Sequence, residues 1–579
     1  MTTRIAGTKR NYVKPALAVI LVFLCLSASF SSPPQEAVER FVDVIDQAGI
    51  KFEHTFDQEK RYIPESMGGG IGMFDYNNDS CMDVFFTNTP TISKNDPLTA
   101  PNALYRNNCD GTFIDITEKS GMKYLGWANG VAVGDYDGDG WQDLYITCLG
   151  PNHLFHNNGG DGTFTDVTNK AGVDDKRYSM GAVFFDYDKD GWLDLFVGNY
   201  TDFKIEDLPT FGKGKFCQYR GVPVQCGPRG LPGAGDTLFH NNGDGTFTNV
   251  TEKAGVSDPD GRYGLSVISF DADVDGWPDL YVANDAGPNF LYHNQKNGTF
   301  KEIGFLAGCA VGEDGNEQGS MGIALGDYLH NGKLALFVTN FAEEYDVLYR
   351  HDQPLLFTDV TFAAGIGKHM GPWVSWSTAF FDYDNDSWKD LLIVNGHVYP
   401  QMANVPGSAS KYLQRMLLFH NKGDGTFDEV AAQNGKTLLA LRVSRGVAFG
   451  DYDNDGFVDA IVNNQDGKAV VLRNLGLTKN NWLSVKLLAP GHNRDAIGAR
   501  LKVVSGDLVQ WDEVFTGGSY ISQGDFRKHF GMAGRTKVDE IEVHWPDGKT
   551  ETVRDVATNQ FITIEQGKGL TKSAPPRKQ

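Results

Sequence analysis

One unit recurs seven times along this chain, and nothing else in the sequence narrows the fold as far. It opens on a hydrophobic stretch that runs into an acidic loop, as in GVAVGDYDGDGWQDLYIT (130–147), GAVFFDYDKDGWLDLFVGN (181–199) and GVAFGDYDNDGFVDAIVNN (446–464). The loops start at Asp75, Asp135, Asp186, Asp271, Asp327, Asp382 and Asp451, and the two longest intervals contain insertions at 201–237 and 396–417. After most loops a second element follows, such as LFHNNGGDGTFTDVT (154–168) or LFHNKGDGTFDEV (418–430), in which apolar residues flank a turn of Asn, Gly and Asp. Apolar flanks around such a turn make a hairpin. Each repeat therefore reads as four short antiparallel strands. Seven such units predict an all-β, seven-bladed β-propeller over residues 41–480, where ring closure protects the sheet edges.

The ends of the array argue for closure. The seventh repeat reaches VVLRN (470–474) and lacks its last strand, while FVDVIDQAGI (41–50) resembles TFTDVTNKAGV (163–173) near the start of the chain. The N-terminal strand is expected to complete the last blade and latch the ring. A linear array would have no reason to displace it.

The loop consensus is D-x-D-x-D-G-x-x-D. Carboxylates at alternate positions of a tight turn converge on one point, and a carbonyl at the seventh position adds another oxygen. Hard oxygen donors in that number suit calcium. The expected metal ligands are Asp75, Asn77, Asp79 and Asp83; Asp135, Asp137, Asp139 and Asp143; Asp186, Asp188, Asp190 and Asp194; Asp271, Asp273, Asp275 and Asp279; Asp382, Asp384, Asp386 and Asp390; and Asp451, Asp453, Asp455 and Asp459. In the fifth repeat Asp327 is followed by Leu329, Asn331 and Ala335, so that loop is expected to be empty and the total to be about six Ca2+ sites. A single Asp-rich turn can be a solvated hairpin. Six at matching positions are harder to read that way, because packed like charges need a cation.

Composition agrees. The formal charge is −22, with 74 acidic and 52 basic residues, a surface that repels nucleic acid and anionic lipid. At 41% hydrophobic residues the chain has a core to build, so the acidity calls for a local explanation. Arg4, Lys9, Arg10 and Lys14 precede an apolar run, Ala16 to Leu26, and then small residues, the order of a secretory signal peptide over 1–31. The expected location is secreted, periplasmic or cell-surface, with an uncleaved anchor as the alternative. No later segment is apolar enough to span a membrane. Six cysteines follow Cys25. Cys217 and Cys226 bracket a short loop and are the main disulfide candidate, while Cys81 and Cys109 fall on one face of one blade and can also pair. Cys148 and Cys309 fall toward the other face and stay unassigned.

Residues 481–567 read as a compact β-rich, sandwich-like domain, and 568–579 as a disordered tail. Arg500, Tyr520, Ser522, Gln523 and His529 could form a polar site, but the preferred reading is that they tie loops to the backbone. The repeats resemble FG-GAP/VCBS propeller repeats over 41 to about 475. GHNRDAIGARLKVV (491–504), GGSYISQGDFRKHFG (517–531) and VDEIEVHWPDGKTETV (538–553) resemble the ASPIC/UnbV domain, with Met532-Ala533 where Leu-Gly is expected. Together with the insertion at 217–233 these place the chain close to the cartilage acidic protein family and its bacterial relatives. The resemblance implies calcium binding, secretion and a role in adhesion or matrix contact, and supplies no reaction.

Two functions follow. One is a monomeric extracellular scaffold that binds a protein or polysaccharide through loops, the insertions being the expected contact surfaces. Aromatics there include Phe203, Phe211, Phe216, Tyr219 and Tyr399. The alternative is an enzyme acting on glycans or another extracellular substrate, in the channel or the C-terminal module. No nucleophile elbow, metalloprotease helix, phosphate loop or isolated acid pair stands out, so no catalytic residue is assigned. His156, His240, His293 and His420 recur at one hairpin position and read as packing or turn residues.

Overall fold

The computed structural model describes residues 39–57, 59–93 and 95–577, so the expected signal segment lies outside the described residues. Seven antiparallel sheets follow the repeats, each built on four strands, with a short fifth strand, Gln318–Gly319, added to the fourth. In the second, the strands are Ala128–Gly134, Asp143–Cys148, His153–Asn157 and Phe164–Asp166, ordered as a meander. The innermost strands pack side by side around a ring, and Ser444–Gly450 of the last sheet lies against Ile71–Phe74 of the first. The structure is a closed β-propeller. Phe41–Asp43 supplies the outer strand of the last sheet, with Phe41 opposite Asn474 and Asp43 opposite Leu472. A three-residue strand holds there because Phe41 is fully buried.

The seams between blades carry their own repeated bond. The Asn that ends the third strand donates its amide to a carbonyl just inside the preceding blade's acidic loop. Asn157 reaches Tyr76 (2.9 Å), Asn241 reaches Tyr136 (2.8 Å), and Asn107 closes the ring on Tyr452 (2.8 Å). Each Asn is buried, so these bonds are made away from water, where leaving them unmade costs most. The fifth blade has His351 in that place, with both ring nitrogens unpartnered.

The C-terminal domain is a sandwich of two four-stranded sheets, Lys528–Ala533, Asn481–Leu488, Gln560–Glu565 and Gly569–Ala574 in one, and Leu508–Glu513, Arg500–Ser505, Lys537–His544 and Thr550–Ala557 in the other. Met532 is fully buried in its core, and Ala533 takes the left-handed conformation (φ 48°) that a glycine would adopt without strain. The tail expected to be disordered is instead strand Gly569–Ala574, paired with Gln560–Glu565. The Arg577 backbone N–H then donates to the Asn454 carbonyl (2.8 Å). Its hydrophilic side chains hid a strand held by backbone hydrogen bonds.

The sandwich is not a separate body. Its core is continuous with that of the second and third blades. Its loop 515–525 fills the propeller channel and bonds to the inner strand of every blade. Gln523 and Met73 bridge to the first, Val131 donates to the Ile521 carbonyl in the second, and the Thr516 hydroxyl donates to Phe184 in the third. Gly518 donates to Val267, Ile323 to Ser519, the Tyr520 backbone N–H to the Ser377 hydroxyl, and the Ser519 hydroxyl to Val447. Inner strands of a propeller have one unpaired edge facing the axis, and this loop satisfies those edges.

The opposite mouth is covered by the insertion 201–237, which carries the only X-Pro cis bond among the described residues, Gly227–Pro228. Tyr219 packs on Phe341, His397 and Tyr399 at 5.4–5.8 Å, and its hydroxyl and Arg220 both meet Glu343. Much of the expected contact surface is thus spent on holding the insertion across the ring, while Phe216 remains exposed.

Candidate functional site in the acidic loops

All seven loops share one backbone. The first Asp accepts the N–H groups of the fifth and sixth residues, as when Asp135 takes Asp139 (3.1 Å) and Gly140 (2.9 Å). In the first four loops and the sixth, the ninth is held at both oxygens: Asp143 accepts from Asn157 (2.8 Å) and Tyr136 (3.2 Å). The fourth and sixth residues are left-handed throughout, which Gly138 and Gly140 adopt freely and Asn385 and Ser387 adopt under local strain. The fifth loop keeps this frame too, since Asp327 accepts from Asn331 (3.0 Å) and Gly332 (2.9 Å) without further carboxylates behind it. The turn is therefore built by the first residue and the two left-handed positions, and the other carboxylates are not needed for it and serve something else.

That something else is to converge. The third-position oxygens Asp137 Oδ1, Asp188 Oδ1 and Asp273 Oδ1 are buried without a hydrogen-bond partner, as is Asp459 Oδ2 of the last loop. Burial first, then repulsion from neighbouring carboxylates, lifts Asp135 to about 8 and holds Asp451 and Asp459 well above the usual carboxylate range. Burial also lifts Asp143 and Asp194 to about 7. An orphaned buried carboxylate oxygen in a ring of others fits a hard cation, which would be held by the first, third, fifth and ninth side chains.

His156 and His240 pack edge-on against the loop tyrosines Tyr136 and Tyr187, and beyond that packing or turn role the recurring histidines reach the loop carboxylates. His156 Nδ1 stands 3.1 Å from Asp137 and 3.5 Å from Asp143, while His240, His293 and His420 lie 3.1 Å from Asp194, Asp279 and Asp390. Hydrogen bonding to Asp143 and to Asp390 raises His156 and His420 to about 9. In the last blade Arg473 takes the position, 2.9 Å from Asp453.

The C-terminal domain sits on this same face. Lys486 approaches Asp75 (3.7 Å), Arg527 donates to the Asp451 carbonyl (2.9 Å), and His529 meets Asn385 (2.6 Å). His492 stacks on Trp192 at 3.4 Å. The five residues considered as a polar site are dispersed in tying duties. The Tyr520 hydroxyl donates to Met67, Ser522 to the Tyr520 carbonyl, Arg500 to Gly332, and Gln523 to Gly524. Both expected disulfides are formed, Cys81–Cys109 and Cys217–Cys226, and Cys148 and Cys309 are buried free thiols.

An acid pair that the sequence did not reveal lies at the other mouth. Asp285 and Glu344 are both half-buried and flank Gly319, where an added methyl would stand 3.1 Å from Asp285 Oδ1 and 3.6 Å from Glu344 Oε2. The Tyr200 hydroxyl donates to Asp285 (2.6 Å), and burial lifts Asp285 to about 6 and Glu344 to about 7.

The repeats match the FG-GAP-like repeat family at residues 75–146, 138–197, 230–282, 271–338 and 407–462, and residues 489–571 match the ASPIC and UnbV family. The chain is an FG-GAP-repeat protein with an ASPIC and UnbV domain. It is homologous to cartilage acidic protein 1: the mouse protein is 26% identical over 86% of this chain and 74% of its own length, and the human protein 27% identical over 78% and 65%. The chain thus spans about two thirds of the human relative. Among solved structures, the FG-GAP ring is similar to a Burkholderia pseudomallei lectin, BP39L (TM-score 0.40, 8% identity, 71% of this chain and 97% of that one). A lectin from Agrocybe aegerita that recognises non-reducing terminal N-acetylglucosamine is also similar (0.35, 14%, 65% and 88%). No helix among the described residues of this FG-GAP protein is long and apolar enough to cross a membrane.

Proposed function

We propose that this protein is an exported scaffold that holds calcium in six of its seven acidic loops and binds an extracellular protein or polysaccharide. The observation that carries this reading is the set of buried, unpartnered carboxylate oxygens at the third position of the second, third and fourth loops and at the ninth position of the last. A bound cation would supply the positive charge that these buried carboxylates lack. Two disulfides and homology to cartilage acidic protein 1 support an oxidising, extracellular setting. Partner contact is assigned to the insertion 201–237, which is stapled by Cys217–Cys226 and presents Phe216 outward. The test is binding of calcium-loaded protein to glycan and matrix-protein arrays, with and without chelator. Calcium-dependent capture that is lost on replacing 211–223 by a short Gly-Ser linker supports the reading. Capture that ignores both changes contradicts it.

The filling of the channel by 515–525 favours a scaffold over a channel enzyme. A second reading rests on Asp285 and Glu344, which flank Gly319 and are both raised by burial, as an acid and a base would need to be. Turnover of a glycan substrate that is abolished in both Asp285→Asn and Glu344→Gln would establish it.

A further inference from the structure

Between the channel-filling loop and the inner strands of the fifth, sixth and seventh blades lies a cavity of about 140 Å³. No residue of its wall is exposed. The floor is apolar, formed among others by Leu325, Phe381 and Val447, and the roof is polar. Two donors there lack an adequate acceptor. The Thr378 hydroxyl is fully buried with no hydrogen-bond partner. The Lys528 ammonium is buried over the Phe515 ring at 3.9 Å, and its ion-pair partner Asp512 is also 3.9 Å away. Asp512 is better engaged elsewhere, since Lys389 donates to it at 3.0 Å and the Glu513 N–H at 2.8 Å. The remaining charges on the wall are committed as well. Asp525 is held by Arg527 (2.6 Å), and Asp382 and Asp451 accept backbone N–H groups of their own loops.

An ammonium and a hydroxyl with unused donor capacity beside an apolar floor match a small molecule with one acceptor-rich end and a short hydrocarbon body. We infer that this cavity binds a short-chain monocarboxylate, with its carboxylate on Lys528 and Thr378 and its tail on the apolar floor. The volume fits a molecule of a few carbons, equivalent to roughly four or five waters at ~30 Å³ each.

Butyrate and propionate are the probes, with chloride at equal ionic strength as the control. Saturation-transfer NMR on the full-length protein should show transfer to the butyrate methyl group, and butyrate should raise the melting temperature above that in chloride. Thr378→Val, which keeps the shape, should weaken binding by about tenfold, and Lys528→Met should remove it. Lys568→Ala, on the surface, should leave it unchanged. Absence of transfer in the wild-type protein, meaning a cavity that holds water only, overturns the proposal. So does equal transfer in the wild-type protein and Thr378→Val, a readout that does not depend on whether Lys528→Met folds.

Discussion

The Tyr520 hydroxyl donates to the Met67 carbonyl at 2.7 Å, joining the C-terminal domain to the first blade across the propeller axis. The same ring meets Trp376 edge-on at 4.7 Å, and Arg445 lies over Trp376 at 3.9 Å. All three side chains are fully buried. The channel is therefore a core, and the C-terminal domain supplies its centre.

Removing that centre should be costly. Tyr520→Phe leaves the Met67 carbonyl unpaired and should destabilise by about 1–3 kcal/mol. Tyr520→Ala adds a cavity and should cost about 3–5 kcal/mol. Denaturant unfolding gives the magnitudes, and limited proteolysis should show cleavage within 515–525 only in Tyr520→Ala.

The fifth loop keeps the frame of the others and lacks their carboxylates. Restoring them with Leu329→Asp, Asn331→Asp and Ala335→Asp should add one calcium site and lower stability in chelator. Metal analysis of the triple variant beside the parent checks this.

Stability without metal should depend on pH in a defined direction. Asp135 is raised to about 8 and Asp143 to about 7, so the folded protein binds protons that the unfolded chain has released. Their contribution is present below the unfolded carboxylate range near 4 and is lost as pH rises to about 8. His156, raised to about 9, acts with the same sign. In chelator the melting temperature should fall from pH 5 to 8, and in millimolar calcium that fall should vanish or reverse.

Asn107→Ala removes the bond that closes the ring between the first and last blades, together with one to the Met82 carbonyl (3.0 Å). With two buried carbonyls left unpaired, it should cost about 2–4 kcal/mol in denaturant unfolding.

The ring was legible because its unit is local and repeated. The acidic loop recurs seven times, the second hairpin turn follows most of its copies, and the displaced strand at Phe41–Asp43 matches the strand that the last repeat lacks. The acidic residues were legible for the same reason. That the histidines also reach the carboxylates was not, because a repeated residue reads as packing until the hairpin is placed against the loop. Nor was the seat of the C-terminal domain. The pairing of Gly72 with Gln523, and of Ile323 with Ser519, joins segments far apart in sequence, and GGSYISQGD has no period to betray a channel filler. Asp285 and Glu344 likewise meet only through folding.

Calcium stoichiometry measured by native mass spectrometry, after stripping with chelator and reloading, tests the central claim most directly. About six ions per chain, with a large drop in melting temperature on removal, is the predicted result. One ion or none, with no change in melting, would contradict it.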